Sequence, residues 1–82
     1  MNPLLKTDYL ILYFIYNHDY NESFNQLYKS LLKVIDIREE FLQERIKVLE
    51  QYNLIKEKDN KYKLTFEALG LMEDNFFFNY FN

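Results

Sequence analysis

With 82 residues, no cysteine, and a single glycine and proline, the chain is one small domain that excludes disulfides, thiolate metal sites and glycine-rich phosphate loops. A content of 49% hydrophobic and 20% aromatic residues excludes a disordered tail, because enough apolar surface is present to form a core. The net charge of −3 gives no overall attraction to nucleic acid, so any basic surface has to come from uneven distribution.

Asn2-Pro3 suits a helix cap and first helical position, and Thr7-Asp8 offers a second start. The first predicted helix runs to about Asn17. Its Tyr9 to Tyr16 stretch is apolar or aromatic on every side, which predicts a central post enclosed by neighbours. That run is far short of the ~20 residues needed to span a bilayer, and no basic region precedes it, so a cytoplasmic location without a membrane partner is expected. His18 to Asn21 read as a polar loop, with a short extended piece around Glu22.

Ser23 with Gln26 forms a capping box, opening a helix whose Phe24, Leu27, Tyr28, Leu31 and Leu32 recur at helical spacing. Lys29 and Lys33 point outward, and Lys33-Val34-Ile35 makes a short turn. Asp36 with Glu39 is a second capping box and predicts a long helix over 36–52. Ile37, Phe41, Leu42, Ile46, Val48, Leu49 and Tyr52 cover about half its circumference at about 100° per residue. Arg45 falls within this buried side, together with Arg38. The simplest expectation is a side chain snorkelling along the core edge, and the sharper one is a buried ion pair at a subunit contact. Asn53, tolerant of the left-handed conformation, ends the helix.

Asp59-Asn60 suits a two-residue turn, since both residues accept positive φ. Such a turn fixes the pairing of Lys58 with Lys61, Glu57 with Tyr62, Lys56 with Lys63 and Ile55 with Leu64. One face then carries Ile55, Glu57, Tyr62 and Leu64, and the other carries Lys56, Lys58, Lys61 and Lys63. Charge by segment is zero over 1–35, −2 over 36–53, +2 over 54–64 and −3 over 65–82, so only the hairpin is basic. Like charges directly opposite destabilise a ribbon, which leaves two readings: an edge kept soluble by lysine, or a seat for an anion.

Thr65 can cap a last helix over 66–82, with Glu67 favourably placed in its first turn. Phe66, Leu69, Met72, Phe76 and Tyr80 form one stripe, while Leu71, Phe77, Phe78 and Phe81 lie off it. This surplus around Phe76, Phe77, Phe78, Tyr80 and Phe81 is expected to form a homodimer contact, or to fold back over the first helix.

No chemistry of bond-making is legible. His18 stands alone in a loop, and Glu39, Glu40 and Glu44 share an exposed face with neither a histidine nor an apolar pocket to shift a pKa. No enzyme activity, catalytic residue, metal or cofactor is expected.

The segment Arg45 to Glu73, RIKVLEQYNLIKEKDNKYKLTFEALGLME, resembles the winged helix-turn-helix domain of small prokaryotic transcriptional regulators of the MarR, ArsR and PadR kind. The likeness rests on Leu49, Asn53-Leu54-Ile55, Tyr62, Leu64-Thr65 and Gly70, and the matching order of elements spans about Tyr9 to Glu73. It implies a mainly α fold with a small β-hairpin in a single domain over 1–82: three helices, a two-stranded wing and a C-terminal helix. It further implies double-stranded DNA as partner, with the 36–52 helix in the major groove and the 54–65 wing on the neighbouring backbone. The expected DNA-binding residues are Lys56, Lys58, Lys61 and Lys63 on the wing, and Arg38, Gln43 and Lys47 on the groove-facing helix. Lys29 adds to them from the preceding helix, although an ordinary solvent-facing position is its simpler reading, as for Lys33. Glu39, Glu40 and Glu44 depart from the pattern, since carboxylates near phosphate repel it. They support an alternative, a winged-helix protein-interaction module whose acidic face, Glu39, Glu40, Glu44 and Glu50, meets a basic protein partner.

Overall fold

The computed structural model describes residues 4–17 and 22–73. Four helices and three short strands follow in the order α1 (Lys6–Asn17), β1 (Glu22–Ser23), α2 (Phe24–Leu32), α3 (Glu39–Gln51), β2 (Ile55–Lys58), β3 (Lys61–Leu64) and α4 (Phe66–Glu73). The chain is thus mainly helical with an antiparallel hairpin. The strands form one sheet in the order β1-β3-β2, so the hairpin is extended by a strand from before α2.

α1 packs at the centre of the helices, but among the described residues it is not enclosed on every side as expected: Tyr13 is exposed and Leu10, Phe14 and Tyr16 are half-buried. Tyr9, Ile11, Leu12 and Ile15 are buried, and the helix touches α2, α3 and β3. It begins at Lys6, not at Thr7-Asp8. Asp8 lies inside the first turn and reaches back, its Oδ2 accepting from the Leu5 N–H at 2.7 Å. The expected cap at Asn2-Pro3 lies outside the described residues.

α2 opens as its sequence predicts. Ser23 Oγ accepts from the Gln26 N–H at 3.3 Å, while Gln26 Oε1 accepts from the Ser23 N–H at 3.1 Å. Leu27 and Leu31 are buried and Phe24 and Tyr28 half-buried, but Leu32 is exposed.

The capping box at Asp36 does not form. Arg38, extended at φ −91 and ψ 150, is the residue before α3, and no side chain caps the helix. The reason is tertiary: Ile37 turns into the core, and its carbonyl accepts from the Tyr28 hydroxyl at 3.1 Å. Holding both contacts keeps the backbone before α3 extended. Glu39 and Glu40 in the first turn then favour the helix dipole without a cap.

The buried stripe of α3 is narrower than its periodicity predicts. Leu42, Ile46 and Leu49 are enclosed, whereas Phe41 and Tyr52 are exposed. Arg45, one turn from both Phe41 and Leu49, takes the intervening surface with a polar partner. The C-terminus closes on Asn53 at φ 59, with the Asn53 N–H on the Glu50 carbonyl at 3.0 Å and the Leu54 N–H on the Leu49 carbonyl at 2.9 Å. This is a Schellman closure, and it leads straight into β2.

Asp59 (φ 55) and Asn60 (φ 63) make the two-residue turn, and the register is Ile55 with Leu64, Lys56 with Lys63, Glu57 with Tyr62 and Lys58 with Lys61. The hairpin is as expected. Thr65 then joins it to α4: its Oγ1 accepts from the Ala68 N–H at 3.2 Å and donates to the Asn53 carbonyl at 2.6 Å.

On α4 the expected stripe is turned. Ala68 and Met72 are buried, and Phe66 is 90% exposed. Phe66 lies about 200° round the helix from Ala68, so seating Ala68 beneath Thr65 sends Phe66 outward. Phe76, Phe77, Phe78, Tyr80 and Phe81, expected at a dimer contact, lie outside the described residues. None of the helices described is long and apolar enough to cross a membrane.

Candidate functional site

Strand alternation builds the basic face. Ile55 and Leu64 are buried at the base of the hairpin and Tyr62 is half-buried beside Glu57, so this side faces the core. Pairing by twos places Lys56 beside Lys63 and Lys58 beside Lys61 on the other side. Lys56, Lys58 and Lys61 are exposed and Lys63 is half-buried. The ribbon is not free-standing, because β1 pairs Ser23 with Lys61 and Glu22 with Tyr62. Ser23 thereby enters the row of the lysines, and the N-terminus of α2 is tied to the hairpin. The sequence hinted at this only through the extended piece expected around Glu22.

Tyr62 lies on the opposite, core-facing side of the hairpin. Burial pushes its hydroxyl pKa up, and the negative charges of Glu57 and then Glu50 add to the shift.

The remaining expected contacts are on other elements. Gln43 and Lys47 are exposed on α3, one turn apart, and Lys29 is exposed on α2. Arg38 is exposed too, but in different company. It lines a depression at the start of α3 with Asp36, Ile37, Glu40, Phe41 and Glu44. Three carboxylates and one guanidinium thus line it, together with Phe41, which is 38% exposed. The basic hairpin and the acidic helix start are therefore separate surfaces with opposite charge. Among the described residues, no three of His, Cys, Asp and Glu gather closely enough to hold a metal ion.

Sequence reasoning offered a buried ion pair for Arg45 but placed its partner on a second subunit and missed Asp8. Asp8, wholly buried on α1, accepts from Arg45 Nε at 2.8 Å through Oδ1 and from Arg45 Nη2 at 2.6 Å through Oδ2. Arg45 is 16% exposed. It does not snorkel along the core edge, nor does it need a second subunit for its partner. The hydrogen bond to Asp8 raises the pKa of Arg45, against the opposing effect of burial. A signal existed in the two halves: an arginine on the buried side of one helix and an acid beside the buried side of another. Only the fold shows that they meet. No protein-family model, curated protein or solved structure matches the chain.

Proposed function

We propose that the chain is a winged-helix DNA-binding protein, a small cytoplasmic transcriptional regulator acting as a homodimer. α3 reads the duplex in the major groove through Gln43 and Lys47, and the hairpin holds the backbone. The observation that supports this reading is the register of the hairpin. It sets Lys56 against Lys63 and Lys58 against Lys61 on one outward face, an arrangement that costs ribbon stability and suits a row of phosphates.

The test is a titration of duplex DNA across salt concentrations, for the unaltered protein and for a variant with all four lysines changed to Gln. The salt slope is expected to fall by about one unit for each lysine engaged. A slope unchanged by removing the lysines rejects the hairpin as the contact. Sizing in solution tests the homodimer.

One observation favours a second reading, a protein-interaction module for a basic partner. The depression lined by Asp36, Glu40 and Glu44 with Phe41 offers carboxylates to a cationic side chain and an aromatic ring for its stem. No retention on duplex DNA even at low salt, together with capture of a basic protein that Glu40→Lys and Glu44→Lys abolish, selects this reading over the first.

A further inference from the structure

The apolar contacts of α3 set which face is buried, but they carry no directional bond that would hold its exact rotation. Leu42, Ile46 and Leu49 are aliphatic, and aliphatic packing is non-directional. A bidentate guanidinium–carboxylate pair, in contrast, holds two groups in one plane at set distances. Asp8 is suited to be the fixed half. It is fully buried, and its Oδ2 accepts both from the Leu5 N–H at 2.7 Å and from Arg45 Nη2 at 2.6 Å, while Oδ1 accepts from Arg45 Nε at 2.8 Å. The carboxylate is therefore nailed to the first turn of α1, and α1 packs at the centre of the helices.

Arg45 is the moving half, and its position on α3 decides what it controls. Gln43 and Lys47 each lie about 200° round the helix from it, in opposite senses, so both stand nearly opposite the ion pair. Fixing Arg45 against α1 fixes where Gln43 and Lys47 point. The effect continues beyond the helix. α3 passes into β2 through the closure at Asn53, with the Leu54 N–H on the Leu49 carbonyl, and Thr65 Oγ1 donates back to the Asn53 carbonyl. A turn of α3 about its own axis therefore acts on the β2 side of the hairpin, while β1 and α1 hold its β3 side.

A buried ion pair adds little net stability over apolar residues of similar volume, so orientation is the more natural account of its presence. We propose that Asp8 and Arg45 are positioning residues that lock the rotation of α3 and so aim Gln43, Lys47 and the β2 side of the lysine face together. That these groups are aimed at DNA rests on the function proposed above. The lock itself does not.

Its test is accordingly read first without DNA, by NMR of the full chain. In the unaltered protein the Arg45 Nε proton is expected to exchange slowly with solvent, and rapid exchange overturns the proposal whatever any variant does. Arg45→Lys keeps the charge and removes the fork. It is expected to give microsecond-to-millisecond relaxation dispersion at the Gln43, Lys47 and Lys58 amides, absent in the unaltered protein, while Leu27 and Leu31 on α2 stay flat. The apolar pair Asp8→Leu with Arg45→Met is expected to stay folded and to show the same dispersion. Flat profiles at Gln43, Lys47 and Lys58 in either folded variant overturn the lock. In the second arm, duplex affinity of the apolar pair is expected to fall severalfold at unchanged lysine content, and unchanged affinity overturns the aiming role. If the unaltered protein does not bind duplex DNA, the proposed function fails, while the exchange and dispersion results still decide the lock.

Discussion

Thr65 Oγ1 donates to the Asn53 carbonyl at 2.6 Å and accepts from the Ala68 N–H at 3.2 Å. One hydroxyl thus joins the end of α3 to the start of α4 across the base of the hairpin. Thr65→Val keeps the shape and removes both bonds at a buried site, so it is expected to cost about 1–3 kcal/mol in urea unfolding. Ser23→Ala, at an exposed cap, is expected to cost about 1 kcal/mol. Equal losses for the two variants refute the ranking by burial.

The ion pair predicts an asymmetry between its halves. Asp8 is wholly enclosed, whereas Arg45 keeps some exposure and a route to water. Arg45→Met strands a buried carboxylate and is expected to cost about 3 kcal/mol or more. Asp8→Asn is expected to cost less, since its amide oxygen still accepts one bond and the arginine can reach solvent. Chemical denaturation of both variants checks this, and a larger loss for Asp8→Asn contradicts it.

Lys58→Glu separates stability from binding. It replaces a like-charged cross-strand pair, Lys58 with Lys61, by an opposite-charged one, and is expected to raise stability by less than about 1 kcal/mol. Duplex affinity is expected to fall at the same time, with a salt slope smaller by about one unit. A variant that gains stability and binds as well as before removes Lys58 from the DNA contact.

Tyr62 predicts alkaline sensitivity. Burial, then Glu57 and Glu50, raises its pKa in the folded chain above that in the unfolded chain, which is about 10. The folded state therefore keeps the proton to higher pH. The stability linked to Tyr62 is fully present below the unfolded value and is lost as pH rises through the folded one. Unfolding free energies measured between about pH 8 and pH 11 are expected to fall less steeply for Tyr62→Phe than for the unaltered protein. Parallel curves deny Tyr62 that role.

What the sequence made legible was backbone chemistry settled within a few residues. Ser23 with Gln26, Asn53, the Asp59-Asn60 turn and the Thr65 cap all act over one turn of chain, and each stands where its residue type suggests. The lysine face follows from the turn by alternation alone. The features that remained hidden depend on distant partners. Asp36 looks like a cap, but Tyr28 and the burial of Ile37 hold that stretch extended. Asp8 looks like a helix start until Arg45 is seen beside it. Phe66 belongs to an apolar stripe by spacing, yet the seating of Ala68 turns it to solvent. Gly70 is exposed, and a side chain there would meet nothing within 4 Å, so packing does not call for a glycine.

The strand order bears on how the molecule assembles. β2 and β3 are neighbours in the chain and find each other through a two-residue bend, within the microseconds typical of hairpins. Glu22, by comparison, pairs with Tyr62 across both intervening helices, a contact of much greater sequence separation. Closure of that outer rung is expected to be the later step, since a longer loop costs more entropy to close. The amides of the bend-linked pair and those of the outer rung should gain protection at different times during refolding, giving this small chain two clocks inside a single sheet.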